Sequence, residues 1–167
     1  MFDIFRKVIL LAINGNFTYL YDLYLRKMAT RTVSFLDKIP KSVDSILVQE
    51  YLNKWDITYK YFAAFKDYSN LNDIEISGIL DLNVKTFRSY KTSGKKLSDR
   101  LQEHTIALIA LFKHGIDVFG SDVEFKNWLK GENFFFDNDS PGNNLKTFSG
   151  IKFIDDRLTA MEYGDNI

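Results

Sequence analysis

Two histidines and one pair of neighbouring aspartates are the residues whose types could support catalysis or metal binding. His104 and His114 lie ten positions apart on one predicted helix. They are therefore about 80° apart in projection and do not form the i, i+4 pair that holds zinc. Asp155 and Asp156 diverge by about 100° on a helix, so they cannot share a proton. The chain has no cysteine, and we expect neither an enzyme nor a metal or cofactor site.

The elements that must position any binding residue are predicted to be helices. The only prolines are Pro40 and Pro141, and β-branched alternation is scarce. Of the 167 residues, 46% are hydrophobic, which is enough to bury a core. The periodicity predicts helices over about 43–68, 73–80, 84–92, 98–119, 121–129 and 151–163, one helical turn at 145–149, and a brief extended piece within 133–140. The predicted fold class is all-α.

Capping patterns and apolar stripes refine these helices. Ser42 is predicted to cap the first helix, Asn72 with Glu75 forms a capping-box pattern, and Asn83 caps the helix that follows. The helix 98–119 is apolar on two faces, so we expect burial on two sides and a homodimer through this region. The last helix carries a stripe of Ile151, Ile154, Leu158 and Met161, and its polar residues off that stripe are Asp155, Asp156, Thr159 and Glu162.

The net charge is zero, but the charges are unevenly distributed. Residues 83–119 carry seven basic and three acidic residues, whereas residues 120–167 carry five basic and nine acidic ones. A basic middle and an acidic end favour two different partners, and random variation among solvated faces is the alternative. The early apolar run, 8–13, is far shorter than the roughly 18 residues of a membrane span. We expect a cytoplasmic protein with no membrane partner.

The basic middle contains a predicted helix-turn-helix at about 72–92. The outward-facing residues predicted to contact DNA are Lys85, Thr86, Arg88, Ser89, Lys91, Lys95 and Lys96. Arg88 is the candidate for a bidentate contact with guanine, and the flanking lysines would neutralise phosphates. Asp81 counts against DNA binding, because it occupies the turn position where glycine is common. The alternative is a solvated helical pair used only for packing.

The C-terminal third carries a series of landmarks at defined separations. In order they are Phe119-Gly120, Trp128-Leu129, Asn133, Pro141, Thr147 with Gly150, and Glu162-Tyr163-Gly164. In order and spacing this segment resembles the toxin-binding domain of the Xre/MbcA/ParS antitoxins. The resemblance extends over about 70–167, because the helix-turn-helix and "KKLSDR" are similar to the family's Xre-like region. One departure is Gly142, where the family usually has leucine after the proline.

The resemblance implies an antitoxin of a type II toxin–antitoxin system, a homodimer that holds its toxin with the C-terminal domain and represses its own operon. The implied partner is a RES-type toxin that destroys NAD⁺, or a related NAD-using enzyme, blocked at its active site. The toxin-binding candidates are Trp128, Arg157, Tyr163, Gly164, Asp165, Asn166 and Ile167. Tyr163 would anchor the tail in the toxin's cofactor cleft, with Asp165 and the α-carboxylate as negative charges. The alternative is that Tyr163 caps the domain's own core.

The predicted organisation has three parts. Residues 1–41 form an N-terminal extension, residues 42–119 an Xre-like helical region, and residues 120–167 a small α-helical toxin-binding domain. The alternative function is a stand-alone helix-turn-helix transcription regulator whose C-terminal domain only dimerises. An adjacent gene for a RES-type protein would discriminate between the two.

Overall fold

The computed structural model describes residues 35–164. The chain divides into two compact units, residues 1–38 and residues 39–167, and nearly all described residues belong to the second unit. Most of the predicted N-terminal extension therefore lies outside the described residues. The tail candidates Asp165, Asn166 and Ile167 lie outside them as well.

The second unit is built from helices. In chain order they are α1 (Ser45–Lys54), α2 (Tyr59–Ser69), α3 (Asp73–Ile79), α4 (Val84–Ser93), α5 (Asp99–Phe119), α6 (Asp122–Lys130) and α7 (Phe148–Glu162), with 3-10 turns at Phe134–Phe136 and Pro141–Lys146. Within residues 39–164 there is no strand, and the one β-type contact is an isolated bridge between Asn133 and Asp139. The all-α prediction is confirmed. None of the described helices combines the length and the apolar character that a bilayer crossing requires.

Side-chain caps fix the starts of the middle helices as predicted. The Asn72 side chain accepts hydrogen bonds from the backbone N–H groups of Ile74 and Glu75, and Glu75 accepts one from the Asn72 N–H, which completes the capping box. Asn83 caps α4, which ends at Gly94 in the left-handed conformation. Ser98 caps α5.

The predicted single helix over 43–68 is wrong, because the chain forms two helices there. α1 ends at Lys54, Trp55 adopts extended backbone, and α2 starts at Tyr59. The intervening Trp-Asp-Ile-Thr segment consists of weak helix formers, and burial of Ile57 in the core favours the break. The predicted Ser42 cap is also wrong, since the Asp44 side chain accepts from the N–H groups of Ile46 and Leu47.

The C-terminal boundaries also differ from those predicted. The turn expected at 145–149 lies at Pro141–Lys146, and α7 begins one turn early, at Phe148. The Thr147 hydroxyl caps α7 by accepting from the Gly150 N–H at 3.1 Å. Within 133–140 the predicted extended piece is limited to the Asn133–Asp139 bridge. Between these residues Phe134–Phe136 forms a 3-10 turn, and Asp137 and Asn138 take left-handed backbone angles that reverse the chain.

Helix α5 forms the centre of the core. Its residues Ile106, Leu108 and Ile109 have no solvent exposure, and the helix packs against α1, α2, α6 and α7. The prediction that this helix is buried on two sides is confirmed. Both apolar faces are covered by helices of the same chain, so they no longer provide a physical argument for a homodimer.

Candidate functional site

A row of aromatic rings links α5, α6 and α7 in the C-terminal part of the unit. Phe119 contacts Trp128 with ring centroids 5.5 Å apart, Trp128 contacts Phe136 at 6.0 Å, and Phe136 contacts Phe153 at 5.0 Å. Trp128, a predicted toxin contact, is half-buried inside this row. Its indole N–H is buried and has no hydrogen-bond partner among the described residues. Trp128 therefore packs the domain, and its contact with a toxin stays a prediction.

At the end of this row, three phenylalanines face solvent, one of them the row member Phe153. Phe134 is 79% exposed, Phe135 43% and Phe153 49%. We call Phe134, Phe135 and Phe153 the phenylalanine patch. The sequence prediction missed it, although a signal was present. Three consecutive phenylalanines in an Asn/Asp-rich segment cannot all point into one core, and here only Phe136 does.

Arg157, also a predicted toxin contact, lies beneath the patch. Its side chain is buried, and the guanidinium carbon lies 3.4 Å from the centroid of the Phe135 ring. This is the geometry of a cation–π contact, which contributes about 0.5–2 kcal/mol in a partly exposed pair. The buried guanidinium packs against Phe135 within its own domain. A salt bridge from Arg157 to a toxin stays a prediction.

Tyr163 and Gly164 follow the last residue of α7. The Tyr163 N–H donates to the carbonyl groups of Thr159 and Ala160, and its side chain is 88% exposed. Gly164 has a φ of 92°, a left-handed conformation that ends the helix. Because Tyr163 points into solvent, the alternative in which it caps the domain's own core does not hold. The ring is available to a partner.

The polar side of α7 contains a buried acid that the sequence did not predict. Asp155 lies off the apolar stripe, yet it is only 3% exposed. One carboxylate oxygen accepts from the Val43 N–H at 2.8 Å, and the other lies 2.7 Å from His114 Nδ1. Glu162 lies 3.2 Å from His114 Nε2. These hydrogen bonds, with that of Asp155 first, raise the pKa of His114 and outweigh its partial burial.

His104 also has a structural role. Its Nε2 lies 2.8 Å from the Leu145 carbonyl oxygen, so this nitrogen carries the proton and donates it. Burial lowers the pKa of His104 and favours the neutral ring. Both histidines thus connect α5 to the C-terminal elements. Among residues 35–164, no group of three or more His, Cys, Asp or Glu side chains is placed to hold a metal ion.

Two glycines of the landmark region permit close backbone contacts. A Cβ at Gly142 would lie 2.8 Å from the Leu129 carbonyl oxygen, and one at Gly150 would lie 2.1 Å from the Asn144 carbonyl oxygen. The departure from the family's usual leucine at position 142 therefore has a physical reason. The absence of a side chain lets the Pro141–Lys146 turn pack directly against the end of α6.

The candidate DNA-binding residues are all exposed on α4 or on the turn after it. They are Lys85, Thr86, Arg88, Ser89, Lys91, Lys95 and Lys96. The Arg88 Nε lies 2.8 Å from an Asp73 carboxylate oxygen, and Lys66 lies 2.6 Å from the other oxygen. These two cations lower the pKa of Asp73, with the Lys66 hydrogen bond as the larger cause. The Ser89 hydroxyl donates to the Thr86 carbonyl. Asp81 adopts a left-handed φ of 54°, the conformation for which such turns favour glycine.

Comparison with known families singles out the C-terminal part of the chain. Residues 114–164 match the model of the antitoxin Xre/MbcA/ParS C-terminal toxin-binding domain. No curated protein matches the chain. The matched range contains the aromatic row from Trp128, the phenylalanine patch, Arg157 and Tyr163, and it includes the landmarks from Trp128 to Gly164. The C-terminal domain of this chain is thus similar to the toxin-binding domain of antitoxins, which supports an antitoxin that binds a toxin.

Proposed function

We propose that this chain is the antitoxin of a type II system and neutralises a RES-type toxin, an enzyme that consumes NAD⁺. The observation that carries this proposal is the family match over residues 114–164, which ends beside the exposed Tyr163. At the end of α7 the matched domain has its most exposed aromatic side chain among the described residues, Tyr163. Such a side chain can enter a pocket of the partner.

Inhibition would follow from the chemistry of the tail. A cleft that binds NAD⁺ must hold two phosphates, and proteins hold phosphates with arginine, lysine and backbone N–H groups. Asp165 offers a carboxylate to such groups, while Tyr163 supplies apolar contact area and Gly164 gives the backbone freedom to turn. The tail would then occupy the cofactor cleft and exclude NAD⁺.

The test of this function is co-expression with the product of the adjacent gene. We expect that product to stop growth and deplete NAD⁺ when expressed alone. Simultaneous expression of the antitoxin should restore both, and the two proteins should co-purify. If the neighbouring protein is toxic and this chain neither rescues growth nor co-purifies with it, the proposed function is wrong.

We also infer that the antitoxin represses its own operon through α3 and α4, used as a helix-turn-helix. The support is that all seven candidate residues are exposed and that five of them are cationic. In this proposal Lys85, Lys91, Lys95 and Lys96 would contact phosphates. Arg88 would contact a base edge and would exchange its ion pair with Asp73 for that contact. The expected result is retardation of promoter DNA at low salt. Absence of retardation, with and without toxin, would mean that the helical pair only packs.

A stand-alone transcription regulator is the competing function. It would use the same helical pair, but its C-terminal domain would serve only for dimerisation. The match to a toxin-binding domain favours the antitoxin. The adjacent gene discriminates directly, because a stand-alone regulator has no need of a neighbouring NAD⁺-consuming enzyme.

We also propose a homodimer, but its interface would lie on α1 and not on α5. Because α5 is covered within the chain, its apolar residues are not available to a second copy. Ile46 and Leu47 on α1 are exposed and offer an apolar contact in the helical region. Light scattering at micromolar concentration should give the mass of two chains. The mass of one chain would overturn this part of the proposal.

A further inference from the structure

The members of the phenylalanine patch lie on two segments that pack together, the Phe134–Phe136 turn and α7. The rings of Phe134 and Phe135 have centroids 5.7 Å apart. Phe153 and Arg157 are four residues apart on α7 and so lie on one face of that helix. The Arg157 guanidinium carbon lies 3.4 Å from the centroid of the Phe135 ring, and the ring of the neighbouring Phe136 contacts Phe153 at 5.0 Å. These two contacts join the phenylalanine turn to this face of α7. Single exposed apolar residues are normal on soluble proteins, but a contiguous cluster indicates an interaction surface.

The patch is also held in place before any partner arrives. The Asn133 side chain accepts from the Phe135 N–H at 3.0 Å, and the Asn133–Asp139 bridge closes the loop. Phe153 projects from a regular helix and contacts the ring of the buried Phe136. Ordered side chains lose little conformational entropy on binding, and this improves the affinity of the surface they form.

The surroundings of the patch carry negative charge. The segment 131–140 has three acidic residues and no basic one. Of these, Asp137 is exposed beside the phenylalanine run. On α7 the exposed Asp156 is paired with Lys152, so the negative charge lies on the 131–140 side of the patch. Apolar rings in an acidic surrounding fit a partner with an apolar depression edged by lysine or arginine. In the proposed toxin, lysine or arginine side chains on the surface outside the phosphate-binding cleft would provide this edge.

The patch is separate from the tail. Phe153 precedes Tyr163 by ten residues on α7, which corresponds to about 15 Å along the helix axis. We propose that the phenylalanine patch is a second contact surface for the same toxin: the patch supplies affinity, and the tail blocks the active site. This inference rests on the proposed function and predicts that binding and inhibition can be separated by mutation.

The test compares three variants of the full chain against a purified, catalytically inactive form of the adjacent gene's product. The patch variant is Phe134→Ala with Phe153→Ala, which leaves the Phe135–Arg157 contact in place. The control variant is Ile74→Ala with Val123→Ala, since these apolar side chains are 69% and 54% exposed outside the patch. The third variant lacks residues 163–167. Affinity is measured by titration calorimetry, and inhibition by the NAD⁺ consumed by active toxin.

We expect the patch variant to bind at least about 30-fold more weakly. The control variant should bind like the wild type, and the truncated chain should still bind but not inhibit. Unchanged affinity of the patch variant would overturn the proposal. The proposal would also be overturned if the patch variant kept its toxin affinity but had a smaller mass than the wild type in light scattering. The patch would then join copies of this chain. If the wild type itself does not bind, the proposed function fails first.

Thermal unfolding controls for the fold of each variant. If replacement of Phe153 disturbs Phe136 beneath it, Phe134→Asp alone provides the test, because Phe134 is the most exposed member of the patch. This single change should also weaken toxin binding by at least about tenfold. Unchanged affinity would again overturn the proposal.

Discussion

His114 on α5 and Asp155 on α7 form a buried pair, with Nδ1 and Oδ1 2.7 Å apart. The second oxygen of Asp155 accepts from the Val43 N–H, so one carboxylate connects the segment before α1, the central helix and the last helix. The same imidazole also contacts Glu162, the residue before Tyr163. The contact between Glu162 and His114 therefore attaches the C-terminal end of α7 to the core.

Asp155→Ala should destabilise the fold strongly. The change leaves the buried Val43 N–H without its acceptor and removes the partner of His114, at a cost of about 3–5 kcal/mol. Urea unfolding followed by circular dichroism measures the loss. The matched control is Asp156→Ala, because Asp156 is exposed and pairs only with Lys152 among the contacts described. The control should change stability by less than about 0.5 kcal/mol. Equal effects of the two substitutions would contradict the role given to Asp155.

The pair should also make stability depend on pH. The pKa of His114 is raised in the folded state, chiefly by Asp155. The stabilisation of the folded state by protonated His114 is therefore fully present below the ordinary histidine pKa of about 6.5. It is lost as the pH rises through the raised pKa of the folded state. His104, whose pKa is lowered by burial, acts in the opposite direction. His104 is present in both the wild type and the His114→Gln variant, so its effect cancels when the two are compared. The stability difference between these two should be larger at pH 6 than at pH 9, and a difference independent of pH would contradict the assignment.

Gly142→Ala should cost about 1–3 kcal/mol, because the new Cβ would lie 2.8 Å from the Leu129 carbonyl oxygen and the backbone would have to move. Gly78→Ala is the matched control. Gly78 lies in α3 with no atom within 4 Å of an added Cβ, so alanine there should be neutral or stabilising. The melting temperatures of the two variants give the comparison. A tolerated Gly142→Ala would mean that the close approach of the turn to α6 is not required.

Substitutions on α4 and on the turn after it can separate base contacts from phosphate contacts. Arg88→Ala should weaken promoter binding and relax discrimination at one base pair, by about 1–3 kcal/mol. Lys95→Ala with Lys96→Ala should weaken binding to all sequences and reduce the slope of log K against log salt by about 2. Lys60→Ala, an exposed lysine on α2, serves as the control and should leave both quantities unchanged. Fluorescence anisotropy at several salt concentrations measures them. An unchanged salt slope in the double variant would contradict phosphate contacts at Lys95 and Lys96.

The parts of the fold that depend on local sequence were predictable. Asn72 and Ser98 cap helices because their side chains reach N–H groups two or three residues away, and such contacts depend only on sequence order. The break after Lys54 was missed because neither glycine nor proline stands there, and burial of Ile57 depends on the rest of the core. Apolar periodicity cannot detect a tertiary effect of this kind.

In the candidate site, too, features that depend on local sequence could be predicted, and features that depend on tertiary contacts could not. The landmarks from Trp128 to Gly164 could be recognised from their spacing, and the family match covers them. The burial of Asp155 was missed because its partners, Val43 and His114, are distant in the sequence. The contact of Arg157 with Phe135 likewise joins two elements whose packing is not encoded in either segment alone.

Removal of residues 163–167 tests whether the tail is the part of the chain that inhibits the toxin. The truncated chain should stay folded, because Ile151, Ile154 and Leu158 remain buried and Glu162 keeps its contact with His114. The decisive measurement is the NAD⁺ content of cells that co-express the active toxin with the full or the truncated chain, with thermal unfolding as the control for folding. We predict that the full chain restores NAD⁺ and growth and that the truncated chain restores neither. Full restoration of NAD⁺ and growth by the truncated chain would show that the tail is not the inhibitor.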